Sequence, residues 1–353
     1  MRRVGIGRGL LDRWQHDRPG ADLRLHRRAA GCGPRAASEP GGGPGVSTYP
    51  VTPIVELGST TIQRVVELEK WDFPPELLFE LSPELLEEAR REFDWRSVDP
   101  QTGKLILSAH TWVIRAQGRT ILVDTCNGNH KQRPVFGNVH LLNEPYLERL
   151  AAAGVRPDEV DVVMCTHLHP DHIGWNTQLV DGTWVPTFPN AAYLMSPVDF
   201  ADMTDWYDHG ERRFELDHDL ARSWEDSVLP VIEHGLAQFV DPDHVIVDEL
   251  AHGVRLEAMP GHTRGHAGVL IEGGGRTAVA TGDAFHHLLQ LNHPEIGNLA
   301  DRDPEQAQAT RRGLFERFAD TDTIVLPGHF PAPSAGRIVS RGDRLEFRFL
   351  GQD

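Results

Sequence analysis

What this chain lacks narrows its chemistry before any motif is considered. Its 353 residues include three cysteines, Cys32, Cys126 and Cys165, with no CxxC pair among them. That excludes a disulfide framework and a thiolate zinc knuckle. Cys165 closes a largely apolar run and reads as a core residue. No apolar stretch approaches the ~20 residues that cross a bilayer, so no membrane partner is expected. Basic charge is scarce: 35 Lys and Arg stand against 52 Asp and Glu, a formal net charge of −17. Such a surface repels phosphate backbones, and no nucleic-acid partner is expected. Arg2-Arg3 is followed by no apolar segment of the export-signal kind, so a cytoplasmic location is expected.

Residues 1–45 differ from the rest. They carry nine arginines against four acids, are rich in Gly, Pro and Ala, and show no apolar period. They are expected to be a disordered or non-native extension, with Val46 as a candidate start. From there the chain alternates strand and helix signals. Strands are expected over 54–57, 61–68, 105–115, 120–124, 160–166, 245–259, 269–272, 277–281 and 323–326, with a closing hairpin over 337–350. Helices are expected over 82–93, 143–153 and 303–318. Residues 199–238 read as a helical insert spotted with Phe200, Trp206, Phe214 and Trp224. Strands predominate, so the fold class is α/β, with two sheets covered by helices.

Against this ordinary background, histidine is abundant: 19 residues, several clustered beside Asp and Gly. The densest cluster is Cys165-Thr166-His167-Leu168-His169-Pro170-Asp171-His172-Ile173-Gly174, where a buried strand runs into a loop. His167 and His169 are two apart, so in extended chain they project to one side and can share an ion. Asp171 and His172 follow where the chain turns and can reach a second centre. Neutral imidazole with carboxylate suits zinc, with iron, manganese and cobalt also compatible. Three later strands end in the same residue types: Gly261-His262-Thr263-Arg264-Gly265-His266, Gly282-Asp283-Ala284 and Gly328-His329. Ligand-type residues therefore recur at the ends of four strands, where loops converge on one rim.

These stretches, with Val123-Asp124-Thr125 before them, resemble in order and spacing the successive motifs of the metallo-β-lactamase superfamily, from about residue 105 to His329. The resemblance implies a four-layer αβ/βα sandwich with metals in a cleft at one edge of the two sheets. It also implies ligand roles: His167, His169 and His262 on one ion, Asp171, His172 and His329 on the other, and Asp283 bridging. The cofactor would be two divalent metal ions, zinc by donor type, and a hydroxide shared between them would be the nucleophile, with Asp171 orienting it or shuttling its proton. Asp124 would orient a ligand histidine from behind, as could His266 and His110 unless they are ordinary hydrogen-bonded core residues. Trp175 either walls the pocket or packs against the insert. His286 and His287 either line the pocket, where one could protonate a leaving group, or sit on a solvated loop.

Within the superfamily the stretches around Gly282–His287 and Gly328–Pro331 are similar to methyl-parathion-hydrolase-like enzymes and N-acyl-homoserine-lactonase-like relatives. That likeness implies hydrolysis of an ester or lactone of a small, partly apolar molecule, and a homodimer. The insert aromatics could furnish an apolar pocket or be core. Two alternatives stand: phosphotriester hydrolysis on the same site, and a non-catalytic metal-binding or sensory protein. Glyoxalase-II-like and flavodiiron relatives need appended domains, and only 24 residues follow His329.

Overall fold

Apolar residues spaced by two set the layers of this molecule. The computed structural model describes residues 54–93, 96–249 and 252–351; the extension expected over 1–45, and Cys32 within it, lie outside them. The strands of the first half are β1 (Val55–Leu57), β2 (Thr60–Phe73), β3 (Leu105–Ala116), β4 (Arg119–Val123), β5 (Val162–Met164), β6 (Thr177–Val180), β7 (Thr183–Pro186), β8 (Ala192–Met195) and β9 (Ala237–Phe239). Those of the second half are β10 (Val245–Glu249), β11 (His252–Ala258), β12 (Ala267–Gly273), β13 (Arg276–Gly282), β14 (Ile324–Pro327), β15 (Gly336–Arg341) and β16 (Arg344–Phe349). One sheet runs β1-β2-β3-β4-β5-β8-β9, the other β10 to β16 in chain order, and β6–β7 form a separate hairpin.

Trp112, Ile114, Ile121, Val123, Val162 and Met164 share one face of the first sheet. They pack against Leu256, Val269, Ile271, Ala278, Ala280, Ile324 and Leu326 of the second in a single buried cluster. The intervening residues Leu270, Val279 and Val325 point the other way, onto Leu314, Phe315 and Phe318 of the helix Pro304–Phe318. In that helix Ala307, Arg311, Leu314, Phe315 and Phe318 are buried, the three-and-four spacing of one helical face. Asp303 caps it, its carboxylate accepting from Gln306 N at 3.0 Å. Strands buried on both faces between helical layers make the αβ/βα sandwich that the motif resemblance implied.

Several element boundaries differ from the sequence reading. The strand expected over 61–68 continues to Phe73, with register shifts between Val66 and Leu68 and between Leu68 and Trp71. Its alternation is broken there because Glu67 turns inward, fully buried. The stretch read as one strand over 245–259 is two antiparallel strands, Glu249 pairing with His252. The strands β6 and β7, unanticipated, turn at Asp181 and Gly182, both with positive φ as a tight hairpin demands. The insert contains helices Pro197–His209, Glu215–Ser223 and Leu229–Glu233, but its last residues are strand β9 at the edge of the first sheet.

Candidate metal centre

The strand ends bring the motif residues together at one edge of the sandwich. His167, His169, His262 and Asp283 each offer an atom within 4.8 Å of the others, and so do Asp171, His172 and His329. Asp283 stands between the two sets. Its Oδ2 is 3.3 Å from His262 Nε2, and its Oδ1 is 3.3 Å from His172 Nε2 and 3.1 Å from His329 Nε2. Gly282 permits this placement: its φ is +46°, and a Cβ there would lie 2.6 Å from His266 Nε2.

Three of the rings are fixed from behind by acceptors, which settle which nitrogen carries the proton in the neutral form. His172 Nδ1 donates to Asp124 Oδ2 at 2.8 Å, and Asp124 Oδ1 in turn accepts from Thr166 N at 2.8 Å. Asp124 adopts φ +59°, a left-handed conformation uncommon outside glycine, with which it serves both contacts. His329 Nδ1 donates to Ser108 O at 3.0 Å, and His262 Nδ1 donates to Asp301 Oδ1 at 2.8 Å. In their neutral forms His172, His329 and His262 would therefore present Nε2 lone pairs to the centre. Yet His172 Nε2 and His329 Nε2 are 3.3 Å apart, and His262 Nε2 lies 3.0 Å from His169 Nδ1. Lone pairs facing each other at these distances repel unless a proton or a metal ion sits between them. His167 Nε2 and Asp283 Oδ1 are buried with no hydrogen-bond donor or acceptor of their own, a cost that coordination removes. The donor set thus fits two divalent ions.

Protons compete for the same nitrogens: against the effect of burial, the neighbouring carboxylates raise His172 well above its ordinary value and raise His329 as well. Burial, reinforced by neighbouring imidazoles, holds His169 down at about 3 and His167 well below its ordinary value. Burial also acts against charge on His262, but its bonds to Asp283 and Asp301 win and lift it to about 9. Without metal the cluster must hold protons on some rings and refuse them on others; ions that bind displace those protons.

The remaining candidates separate. His266 donates Nδ1–H to Met259 O at 2.9 Å and accepts the Asp283 backbone N–H on Nε2 at 3.0 Å, so both nitrogens are used holding the Asp283 loop. His110 lies below the centre between Ser108 Oγ and Pro327 O. His286 belongs to the centre: its Nε2 is 3.0 Å from Asp283 Oδ2, and its ring stacks on His329 at 5.7 Å. His287 does not. It turns away, Nε2 on Ser97 O at 3.0 Å and Nδ1 accepting from Leu289 N, because the chain enters a helical turn at Leu289. Trp175 stacks on Tyr146 and donates to Glu67 Oε1 at 2.7 Å, and so packs behind the site instead of walling the cleft. Glu67 also accepts from Asn127 N, Asn127 Nδ2 and Gly128 N at 2.8–3.0 Å, pinning the loop that carries Asp124. Cys126 in that loop is buried, and burial drives its thiol well above the ordinary range, so it is no nucleophile.

A cleft of about 300 Å³ opens over the centre, reaching His169, Asp171, His262, Asp283, His286 and His329. Its apolar walls include Trp71, Phe73, Leu107, Phe136, Val139 and Leu220. The insert gives Leu216 and Leu220, not the aromatics picked out in the sequence: Phe200 and Trp224 pack together in the interior, Phe214 is 71% exposed, and Trp206 borders a smaller neighbouring cavity. Sequence reading missed Asp301, Glu67 and Arg133. Arg133 borders the cleft and pairs with Asp226. The sequence held only a weak sign of Asp301, an acid two residues before a helix cap.

A family model described as the metallo-beta-lactamase superfamily matches residues 106–329. The chain belongs to that superfamily. It is 26% identical over 200 residues to a Mycobacterium tuberculosis protein named a probable metallo-hydrolase, covering 52% of this chain and 58% of that one. A mouse metallo-beta-lactamase domain-containing protein 1 is 31% identical over 185 residues, covering 52% of this chain and 53% of that one. The matched stretch thus spans just over half of these relatives. Among solved structures, the superfamily hydrolase AbOPH superposes with TM-score 0.71 at 20% identity, covering 86% of this chain and 99% of that one. AidC, a dizinc quorum-quenching lactonase, gives 0.65 at 20% identity, covering 84% and 96%. These likenesses bear on the fold. Among the described residues no helix is long and apolar enough to cross a membrane.

Proposed function

We propose that this protein is a metal-dependent hydrolase that holds two divalent ions, zinc by the chemistry of its donors, and opens an ester or lactone bond of a small, partly apolar substrate. The observation that carries the reading is the pair of donor sets meeting at Asp283 beneath an apolar cleft. His167, His169 and His262 would hold one ion, Asp171, His172 and His329 the other, and Asp283 would bridge them. What two such ions supply when bound is a water acidified toward neutrality and a Lewis acid for the scissile carbonyl.

The chain's own residues do the rest. Asp124, Asp301 and the Ser108 carbonyl fix ring orientation, so the donors need no rearrangement during turnover. Asp171 Oδ2, 3.5 Å from both His172 Nε2 and His329 Nε2 and the more open of the two site carboxylates, is placed to accept a proton from the attacking water. The apolar walls bind the substrate body and exclude competing water. No serine or cysteine nucleophile takes part.

The test is a panel of lactones, aryl esters and phosphotriesters, run on metal-loaded and chelator-stripped protein. Turnover of a lactone or carboxylic ester, lost on stripping and restored by metal, supports the reading. Preference for phosphotriesters would replace the substrate class on the same centre. No turnover of any class by fully loaded protein would leave a metal-binding or sensory role in its place.

A further inference from the structure

Away from the His and Asp cluster the cleft is lined mostly by apolar side chains, with Asn127, Asn298 and Arg133 the polar ones, and Arg133 is its one guanidinium or ammonium group among the described residues. Arg133 is 2% exposed. Its Nη1 and Nη2 donate to Asp226 Oδ2 and Oδ1 at 2.9 and 2.8 Å, and Nη1 also reaches Gln132 O at 2.9 Å. Its Nε is buried with no partner. Asp226 is not Arg133's alone: its Oδ1 also accepts from Ser227 Oγ at 2.7 Å and lies 3.4 Å from Lys131 Nζ. Lys131, fully buried, spends its donors on Thr177 Oγ1 at 2.6 Å and Asp226 O at 2.9 Å, and stands 3.6 Å over the Trp184 ring. The Arg133 guanidinium thus shares its carboxylate partner with Lys131 and Ser227. Lys131 faces away from the cleft, and Arg133 borders it.

A buried cation that shares its counter-ion, and a buried N–H that finds no acceptor, are both costly, and an anion that reached the guanidinium from the cleft would relieve both. The fork is already held in place by the two-point bond to Asp226, so little ordering is lost on binding. Phe136, Val139, Leu216 and Leu220 border the same cleft and would lower the local dielectric around such a contact.

We propose that Arg133 is a specificity-determining residue that receives a carboxylate carried by the substrate away from the scissile bond. The substrate class is then an anionic ester or lactone, such as the half-ester of a dicarboxylic acid. This rests on the hydrolase reading above. The test does not need turnover: the metal-loaded full chain is titrated calorimetrically with two unreactive amides of equal length, hexananilide and adipic acid monoanilide. Wild type should bind the monoanilide at least ten-fold more tightly. In Arg133→Gln and Arg133→Lys that advantage should fall several-fold, the lysine variant keeping charge at the position and guarding against misfolding in the other. No advantage in wild type, or an undiminished one in both variants (the carboxylate then going to the metal ions), overturns the proposal. A kinetic arm compares 4-nitrophenyl hexanoate with mono-4-nitrophenyl adipate, where the preference should lie in KM more than kcat. If neither ester is hydrolysed the hydrolase reading fails, while the binding ratio still decides the role of Arg133.

Discussion

Removing the negative charge of Asp301 should weaken metal binding through a residue that touches no metal. The Asp301 side chain is buried, accepts His262 Nδ1–H at 2.8 Å, and receives Asn298 N at 3.0 Å and Arg311 Nη1 at 3.5 Å on its other oxygen. Burial would raise its pKa, but the His262 bond and nearby cationic groups hold it below the ordinary carboxylate value, so it stays ionised. Asp301→Asn keeps the shape and loses the charge. An amide oxygen can still accept from His262, but its NH₂ then meets the Asn298 N–H and the Arg311 guanidinium, donor against donor. Loss of such a carboxylate behind a metal-bound imidazole weakens metal affinity by about 10–100-fold, or about 1.4–2.7 kcal/mol at 1.36 kcal/mol per decade. The assay is competition of one metal per chain against a chromophoric chelator, alongside denaturant unfolding. Unfolding stability should fall as well, on the order of 2 kcal/mol, because Arg311 loses a buried counter-charge. Arg311→Met separates the two effects: stability should drop while metal affinity stays within about three-fold, since the His262–Asp301 bond is kept. Unchanged affinity in Asp301→Asn, or equal losses in both variants, would refute the claim that Asp301 works through His262.

Three further perturbations follow from the same geometry. Asp283→Ala should abolish hydrolysis and reduce bound metal, by elemental analysis, to one ion or none, because it removes the bridge between the two donor sets. His266→Ala should retain both ions, since its nitrogens face Met259 O and the Asp283 backbone N–H; stability should fall by about 1–3 kcal/mol for the orphaned donor. Lys131, pulled down to about 7 chiefly by burial, makes stability pH-dependent. Its folded-state pKa is lowered, so between about pH 7 and its ordinary value of 10.5 the unfolded chain binds more protons and stability rises with pH. Between pH 6.5 and 9.5 wild type should gain on the order of a few kcal/mol relative to Lys131→Met in denaturant titrations; a pH-independent difference would place an ordinary ammonium there.

The gathering of the candidate ligands was legible because four of them lie within four residues of a strand end, and a strand end fixes where its loop emerges. His167, His262, Asp283 and His329 needed only that regularity to be placed on one rim. What was not legible depends on partners distant in sequence. His262 and Asp301 are 39 positions apart, Arg133 and Asp226 are 93, and Glu67 and Trp175 are 108. Asp301 sits near a helix cap and looks like one more N-terminal acid; its meaning appears only when the loop folds back onto His262. His286 and His287 are adjacent yet diverge, one onto Asp283 and the other onto Ser97. Outside regular structure no periodicity tells which of two neighbours faces inward. The hairpin hidden in residues 245–259 was missed for a related reason: Val245–Val247 and Val254–Leu256 both carry strand-type residues, and the sequence between them holds no Asn-Gly or Pro-Gly signal.

The most direct test is metal content by elemental analysis on a sample assayed at the same time for lactone and ester hydrolysis. The account predicts about two divalent ions per chain, with activity rising only as the second ion is added. Full activity at one ion per chain, or two ions bound with no hydrolysis of any ester or lactone, would contradict it.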